Sequence, residues 1–154
     1  MESFCLQDRY APHNSCFGCG PSNEKGLRLK TFVKDGQLVA NWYAEPFHEA
    51  FPGVLNGGII GTLLDCHSNW SAAFYLMKHL QLKTPPCTVT SYFNVSLKRP
   101  TPSAEPIFLS STLVEISEDR ATIFADLTVD GKSCATCTGL FVSVKPGHPA
   151  YHRW

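Results

Sequence analysis

One stretch limits the possible folds more than any other. From Phe51 to Met77 the chain reads FPGVLNGGIIGTLLDCHSNWSAAFYLM, and between Glu49 and Lys78 its single formally charged side chain is Asp65. Ile59, Ile60, Leu63, Leu64, Phe74 and Met77 recur at three- and four-residue steps, which predicts a helix with a wide apolar stripe. Asn56 stands where an N-cap belongs, with Gly57 and Gly58 just inside. A second face holds small or polar residues: Gly58, Gly61, Thr62, Asp65, Ser68, Asn69 and Ala72. The bulky face must enter a core, whereas the small face has room for another backbone or a thin ligand. A lone carboxylate in such a segment is costly to bury unless a partner or a reaction uses it.

A chain of 154 residues is long enough for one domain with an adequate core. Thirteen basic and thirteen acidic side chains cancel. No basic run extends beyond Lys98-Arg99, so nucleic acid is not an expected partner. Asp65, His67 and Asn69 interrupt the best candidate for a membrane span, so none is expected. The start, MESFCLQDRY, lacks a basic region followed by an apolar block, which argues against a secretory signal. The cysteine count is odd, at seven, and reduced thiols in a cytoplasmic compartment are the expectation. Cys16-x-x-Cys19 is half of a zinc site. The second such pair, Cys134-x-x-Cys137, lies in a strand-like run, where residues three apart point to opposite faces. Its thiols should not converge on one ion, so no metal is expected; a zinc-dependent module is the alternative.

Residues 1–26 read as an irregular segment packed on the body, because HNSCFGCGPSNEKG is dense in Gly, Pro, Ser and Asn. From Leu27, LRLKTFV and QLVANWYA alternate apolar and polar residues around Lys34-Asp35-Gly36, which predicts strand, turn and strand. AEPFHEAFPGVLN connects to the helix, which should end near Leu82, before Thr84-Pro85-Pro86. In CTVTSYFNVSLKRPTP, simple alternation puts Val89, Ser91, Phe93, Val95 and Leu97 on one face and Thr90, Tyr92, Asn94, Ser96 and Lys98 on the other. IFLSSTLVEIS, RATIFADLTVD and KSCATCTGLFVSVK are three more strands, turning at Glu118-Asp119 and Asp130-Gly131. The body spans 27–145, and the tail, 146–154, reads as a surface segment. Turns this short make the sheet antiparallel, with one long helix to cover it, an α+β arrangement.

Three features together resemble a known family: CFGCG-x2-N-x2-GL at Cys16–Leu27, PGVLNGGIIGTLLD at Pro52–Asp65, and TSYFNVSLKRP at Thr90–Pro100. The terminal ATCTGLFVSV is similar too. In order and spacing they resemble the hotdog-fold acyl-CoA thioesterases of the PaaI-type thioesterase superfamily. That resemblance implies a hotdog fold, an antiparallel sheet wrapped around one central helix, and a homodimer, or a dimer of dimers, with active sites at the subunit boundary. It implies that Asp65 is the catalytic acid, that the backbone N–H of Gly57 or Gly58 forms the oxyanion site, and that Thr90 helps to position the attacking water. Many members carry His where this chain has Asn56. Asn donates a hydrogen bond to a carbonyl but carries no proton. No cofactor is implied.

Thioester hydrolysis needs an activated nucleophile, a sink for charge on the carbonyl oxygen and a protonated leaving thiol. Free N–H groups at a helix start suit the second need. Asp65 would activate water as a general base or attack directly to give an anhydride. Trp70 and Tyr92 are candidates for the acyl pocket, or else core or interface residues. Lys98 and Arg99 are candidates for contact with CoA phosphates, or else a solvated strand end. Each polar residue also has a plain structural reading: Asn56 as an N-cap, the glycines as a tight helix entry, Thr90 as a strand Thr. The competing functions are a non-catalytic acyl-CoA-binding protein and a hotdog hydratase or dehydratase. The latter needs a His and an acid in concert, and position 56 offers no histidine.

Overall fold

The computed structural model describes residues 3–154. Its elements run β1 (Phe4–Cys5), α1 (Leu6–Tyr10), β2 (Phe32–Lys34), β3 (Gln37–Trp42), β4 (Glu49–Phe51), β5 (Val54–Leu55), α2 (Gly57–His79), β6 (Thr88–Leu97), β7 (Ile107–Ser117), β8 (Arg120–Val129) and β9 (Lys132–Ser143). Seven strands form one sheet in the order β1-β2-β3-β7-β8-β9-β6, and β4 and β5 pair separately. Every pairing is antiparallel. The two Asp-Gly pairs, 35–36 and 130–131, hold positive φ at both positions, the turn that matches the twist of a hairpin.

The sheet packs on α2, whose contacts run mainly to β6, β7, β8 and β9. Ile60, Leu63, Leu64 and Phe74 are buried, as the apolar stripe predicts. They meet inward residues of alternating strands, among them Ile107, Leu109, Ala125 and Leu127. Each such fully buried Leu or Ile contributes about 1.5–3 kcal/mol relative to exposure. Asn56 caps α2: its Oδ1 accepts from the N–H groups of Gly58, at 2.8 Å, and Ile59, at 3.2 Å.

Several boundaries differ from the sequence reading. The helix ends at His79 rather than near Leu82. The segment before Leu27 is not wholly irregular, since β1 and α1 lie in it. Regular pairing in LRLKTFV begins only at Phe32, because the N–H groups of Leu27 and Leu29 donate to the carbonyls of Phe17 and Gly18 instead. The loop before α2 contains a short 3-10 turn and the β4–β5 hairpin. The tail does not stay on the surface as a free segment. Trp154 stacks on Trp70, with ring centroids 4.3 Å apart, and Arg153 Nη2 donates to the Thr88 carbonyl at 2.7 Å.

The largest correction concerns β6. Its register against β9 shifts between Thr90 and Tyr92. A bulge of this kind inserts one residue and reverses the alternation beyond it. Thr90 pairs opposite buried Phe141, and Phe93 opposite Gly139, two residues along the same face of β9. Thr90 therefore shares the helix-facing side with Phe93, Val95 and Leu97, instead of pointing away from them.

Candidate active site

The small-residue face of α2 is covered by β6. Gly57, Gly61, Asp65 and Asn69 recur at four-residue steps and form one row along the helix. A Cβ on Gly57 would lie 3.5 Å from Leu97 Cδ1, and one on Gly61 would lie 3.9 Å from Phe93 Cε2. Next along the row, Thr90 Oγ1 donates to Asp65 Oδ1 at 2.7 Å. Last, the Thr88 hydroxyl donates to Asn69 Oδ1. Small side chains on the helix thus let the strand lie close, and two Thr hydroxyls each donate one hydrogen bond to a polar member of the row.

Asp65 is half-buried and joins no ion pair among the described residues. Burial raises its pKa above the ordinary carboxylate value, against the opposing hydrogen bond from Thr90, while negative charge at Cys16 adds to the rise and Arg153 reduces it. Its Oδ2 has no hydrogen-bond partner among the described residues. Among the described residues the carboxylate is therefore held by one oxygen, and the other is left without a hydrogen bond.

At the start of α2, the N–H groups of Gly58 and Ile59 are taken by the Asn56 cap, and that of Ile60 by the Asn56 carbonyl. The Gly57 N–H makes no hydrogen bond among the described residues. Gly57 lines an open groove of about 450 Å³ whose walls include Phe51, Val54, Ile60, Leu97, Lys98 and Arg99. An unpaired amide at a helix start, with two basic residues beside it, suits an anion or a polarised carbonyl.

The other candidates fall in different places. Trp70 is in the core, 2% exposed, and is not part of that groove's wall. Tyr92 is exposed on the outer face of β6. Asp65 is also absent from the groove wall. It lies eight residues from Gly57, about 12 Å along the helix axis.

One cluster near Asp65 joins the Cys16-x-x-Cys19 pair to Cys66, a residue that no spacing signal in the sequence marks. The Sγ atoms of Cys16, Cys19 and Cys66 all lie within 4.8 Å of one another. Hydrogen bonds from Cys19 and then Cys66 favour a thiolate at Cys16, while Cys19 and Cys66 are shifted upward. The partner of the Cys16-x-x-Cys19 pair is thus a helix residue rather than Cys134 or Cys137, which lie outside this cluster.

Known structures place this architecture. A thioesterase superfamily protein from Shewanella loihica PV-4 superposes with a TM-score of 0.68 at 27% identity, over 90% of this chain and 99% of its own. A Bacillus halodurans protein solved with CoA gives 0.63 at 20% identity, over 77% of this chain and 76% of its own. A phenylacetic acid degradation-related protein from Ralstonia eutropha JMP134 gives 0.62 at 21%, over 75% and 85%. No family model matches the sequence, and no curated protein does. The chain has the hotdog fold, and its likeness to thioesterase superfamily proteins holds in structure as well as in sequence. No helix among the described residues is long and apolar enough to cross a membrane.

Proposed function

We propose that the protein hydrolyses acyl-CoA thioesters, with Asp65 as general base or nucleophile. The observation that carries this reading is the Thr90–Asp65 hydrogen bond. It fixes one carboxylate oxygen, while the other has no hydrogen-bond partner and the half-buried acid no ion pair among the described residues. Burial makes that acid a stronger base near neutral pH. As general base it takes a proton from water, and the hydroxide adds to the thioester carbonyl. As nucleophile, Oδ2 itself adds and water later cleaves the anhydride. Either route places negative charge on the carbonyl oxygen, where the Gly57 N–H donates. Collapse of the adduct breaks the carbon–sulfur bond, and the departing CoA thiolate takes up a proton.

A separation of about 12 Å between Gly57 and Asp65 is too long for both to act on one carbonyl within one chain. The reading therefore includes a homodimer in which Gly57 of one copy faces Asp65 of the other. Support comes from β6, which pairs only with β9 and leaves its second edge open among the described residues. An exposed edge with Tyr92 and Leu97 uncovered is a natural template for a second copy. Asn56, with Oδ1 committed to the cap, retains its amide NH₂ to orient the carbonyl. Lys98 and Arg99 in the groove beside Gly57 suit CoA phosphates.

The test is thiol release from a panel of acyl-CoAds differing in chain length and aromaticity, with Asp65→Asn beside wild type. Turnover of at least one substrate by wild type, lost in the variant, supports the reading. Equal turnover by both removes Asp65 from the mechanism. Ligand-induced stabilisation with no turnover on any thioester would instead favour an acyl-CoA-binding protein.

A further inference from the structure

We propose that Cys16, Cys19 and Cys66 form a three-thiolate site for Zn²⁺, which clamps the N-terminal loop to the central helix. The three sulfurs converge from two segments fifty residues apart, with Cys16 Sγ 3.9 Å from Cys66 Sγ and all pairs within 4.8 Å. Thiolates about 2.3 Å from a tetrahedral zinc stand about 3.8 Å apart. The sulfurs are thus at or near metal-bound spacing.

The surrounding backbone is built for this approach. Gly18 lies so close to α2 that a Cβ there would come 2.3 Å from Cys66 Sγ and 2.8 Å from Thr62 Cγ2. The Gly20 N–H donates to the Cys16 carbonyl at 2.8 Å, closing a tight turn around the pair. A Cβ at Gly20 would strike backbone atoms of Asn14 and Cys16 at 2.4–2.7 Å.

The donor set selects the ion. Three thiolates and no carboxylate or imidazole in the cluster suit a thiophilic d¹⁰ metal rather than Mg²⁺ or Ca²⁺. Cys19 and Cys66 are buried, and Cys16 alone is half-exposed. Water can complete a tetrahedron from the Cys16 side. Binding displaces the thiol protons, so occupancy should fall in acid.

The experiment is metal analysis of full-length protein purified under reducing conditions, equilibrated with Zn²⁺ and desalted. The expected content is ~1 zinc per chain, falling by roughly an order of magnitude in Cys16→Ser and Cys19→Ser, with Cys134→Ser unchanged. Circular dichroism checks that the variants are folded. Should they unfold, Co²⁺ titration of metal-free wild type gives a second readout, a thiolate-to-metal charge-transfer band saturating at ~1 equivalent. Zinc-free wild type with no cobalt band, zinc retained in both Cys variants, or a disulfide among the three cysteines in the reduced preparation would each overturn the proposal. None of these readouts depends on hydrolysis, so the site stands or falls apart from the catalytic reading.

Discussion

Thr90 Oγ1 and Asp65 Oδ1 meet at 2.7 Å within a single chain, and the bulge in β6 is what makes that possible. The hydroxyl sets the carboxylate rotamer and lowers its pKa, against the larger upward push of burial. Thr90→Val keeps the shape and removes the donor. We expect kcat on the best acyl-CoA to fall about 10- to 100-fold, and the acidic limb of the rate profile to move to higher pH. Thr90→Ser should restore most of both. A merely structural Thr90 would give a loss of stability with no movement of the pH profile.

On the proposed reading, Asp65 must be ionised to act as base or nucleophile. Its folded-state pKa is raised, chiefly by burial, so activity should be lost on acidification at higher pH than an exposed Asp would allow. Asp65→Asn should lower kcat by about 100- to 10,000-fold and remove that limb from whatever activity remains. A profile for wild type that stays flat down to the ordinary carboxylate range would contradict this assignment.

The helix and its cap were legible because their signals are local: the apolar steps, Asn56 before two glycines, and one carboxylate on a small face. The Asp-Gly hairpins were legible for the same reason. The β6 bulge was not, because one inserted residue leaves the apolar–polar alternation of the sequence unchanged while reversing which face it describes. Cys66 joins Cys16 and Cys19 only through tertiary folding, so no spacing rule could point to it. Trp154 reads as part of a polar tail until Trp70 is seen to offer it a ring to stack on. The separation of Gly57 from Asp65 follows from helix geometry alone, yet its meaning for a shared site needs the strand edge as well.

If the working site is assembled from two copies, inactive variants should complement each other. Gly57→Pro removes the free amide, at the first helical position where Pro is well tolerated, and its Cβ would sit at ordinary contact distance, 3.5 Å, from Leu97 Cδ1. Asn56, at φ −62° and ψ 135°, already has the extended conformation that a following proline requires. That variant alone should lose about 100- to 1000-fold in kcat. Refolding an equal mixture of Gly57→Pro and Asp65→Asn should recover about a quarter of wild-type activity. Half the dimers are then mixed, and each carries one intact site of two. No recovery in mixtures shown to contain mixed dimers would overturn the reading in which Gly57 and Asp65 act together across two copies.

Gly18 gives a prediction about packing. Gly18→Ala would force a methyl group against Cys66 Sγ and Thr62 Cγ2, displacing the loop or the helix turn beneath it. The expected cost is about 1–3 kcal/mol, the usual range for overpacking, read as a lower urea midpoint at unchanged m. Gly36→Ala, with open space around its Cβ but φ +78°, should instead show only backbone strain, of about 1 kcal/mol. A larger loss at Gly36 than at Gly18 would mean that the loop is not held against α2 as the structure has it.

His67 gives a prediction about how the fold responds to acid. The ring is fully buried on α2, with Nδ1 3.0 Å from Thr31 Oγ1. Gln7 binds the same threonine twice, through Nε2 to Oγ1 at 3.3 Å and through Oε1 from its N–H at 2.8 Å. The network ties α1 and the strand entry to the central helix. Burial lowers the His67 pKa from 6.5 to about 4. Between those values the unfolded chain binds a proton that the folded chain refuses, so stability rises with pH across this window. On acidification the loss should therefore begin near pH 6.5 and be complete below about 4, reaching on the order of 3 kcal/mol. Urea titrations at several pH values measure it directly. His67→Gln, which can keep a hydrogen bond to Thr31 but cannot titrate, should flatten that part of the curve even if it lowers stability at neutral pH; an unchanged slope in that variant would assign the acid sensitivity to other groups.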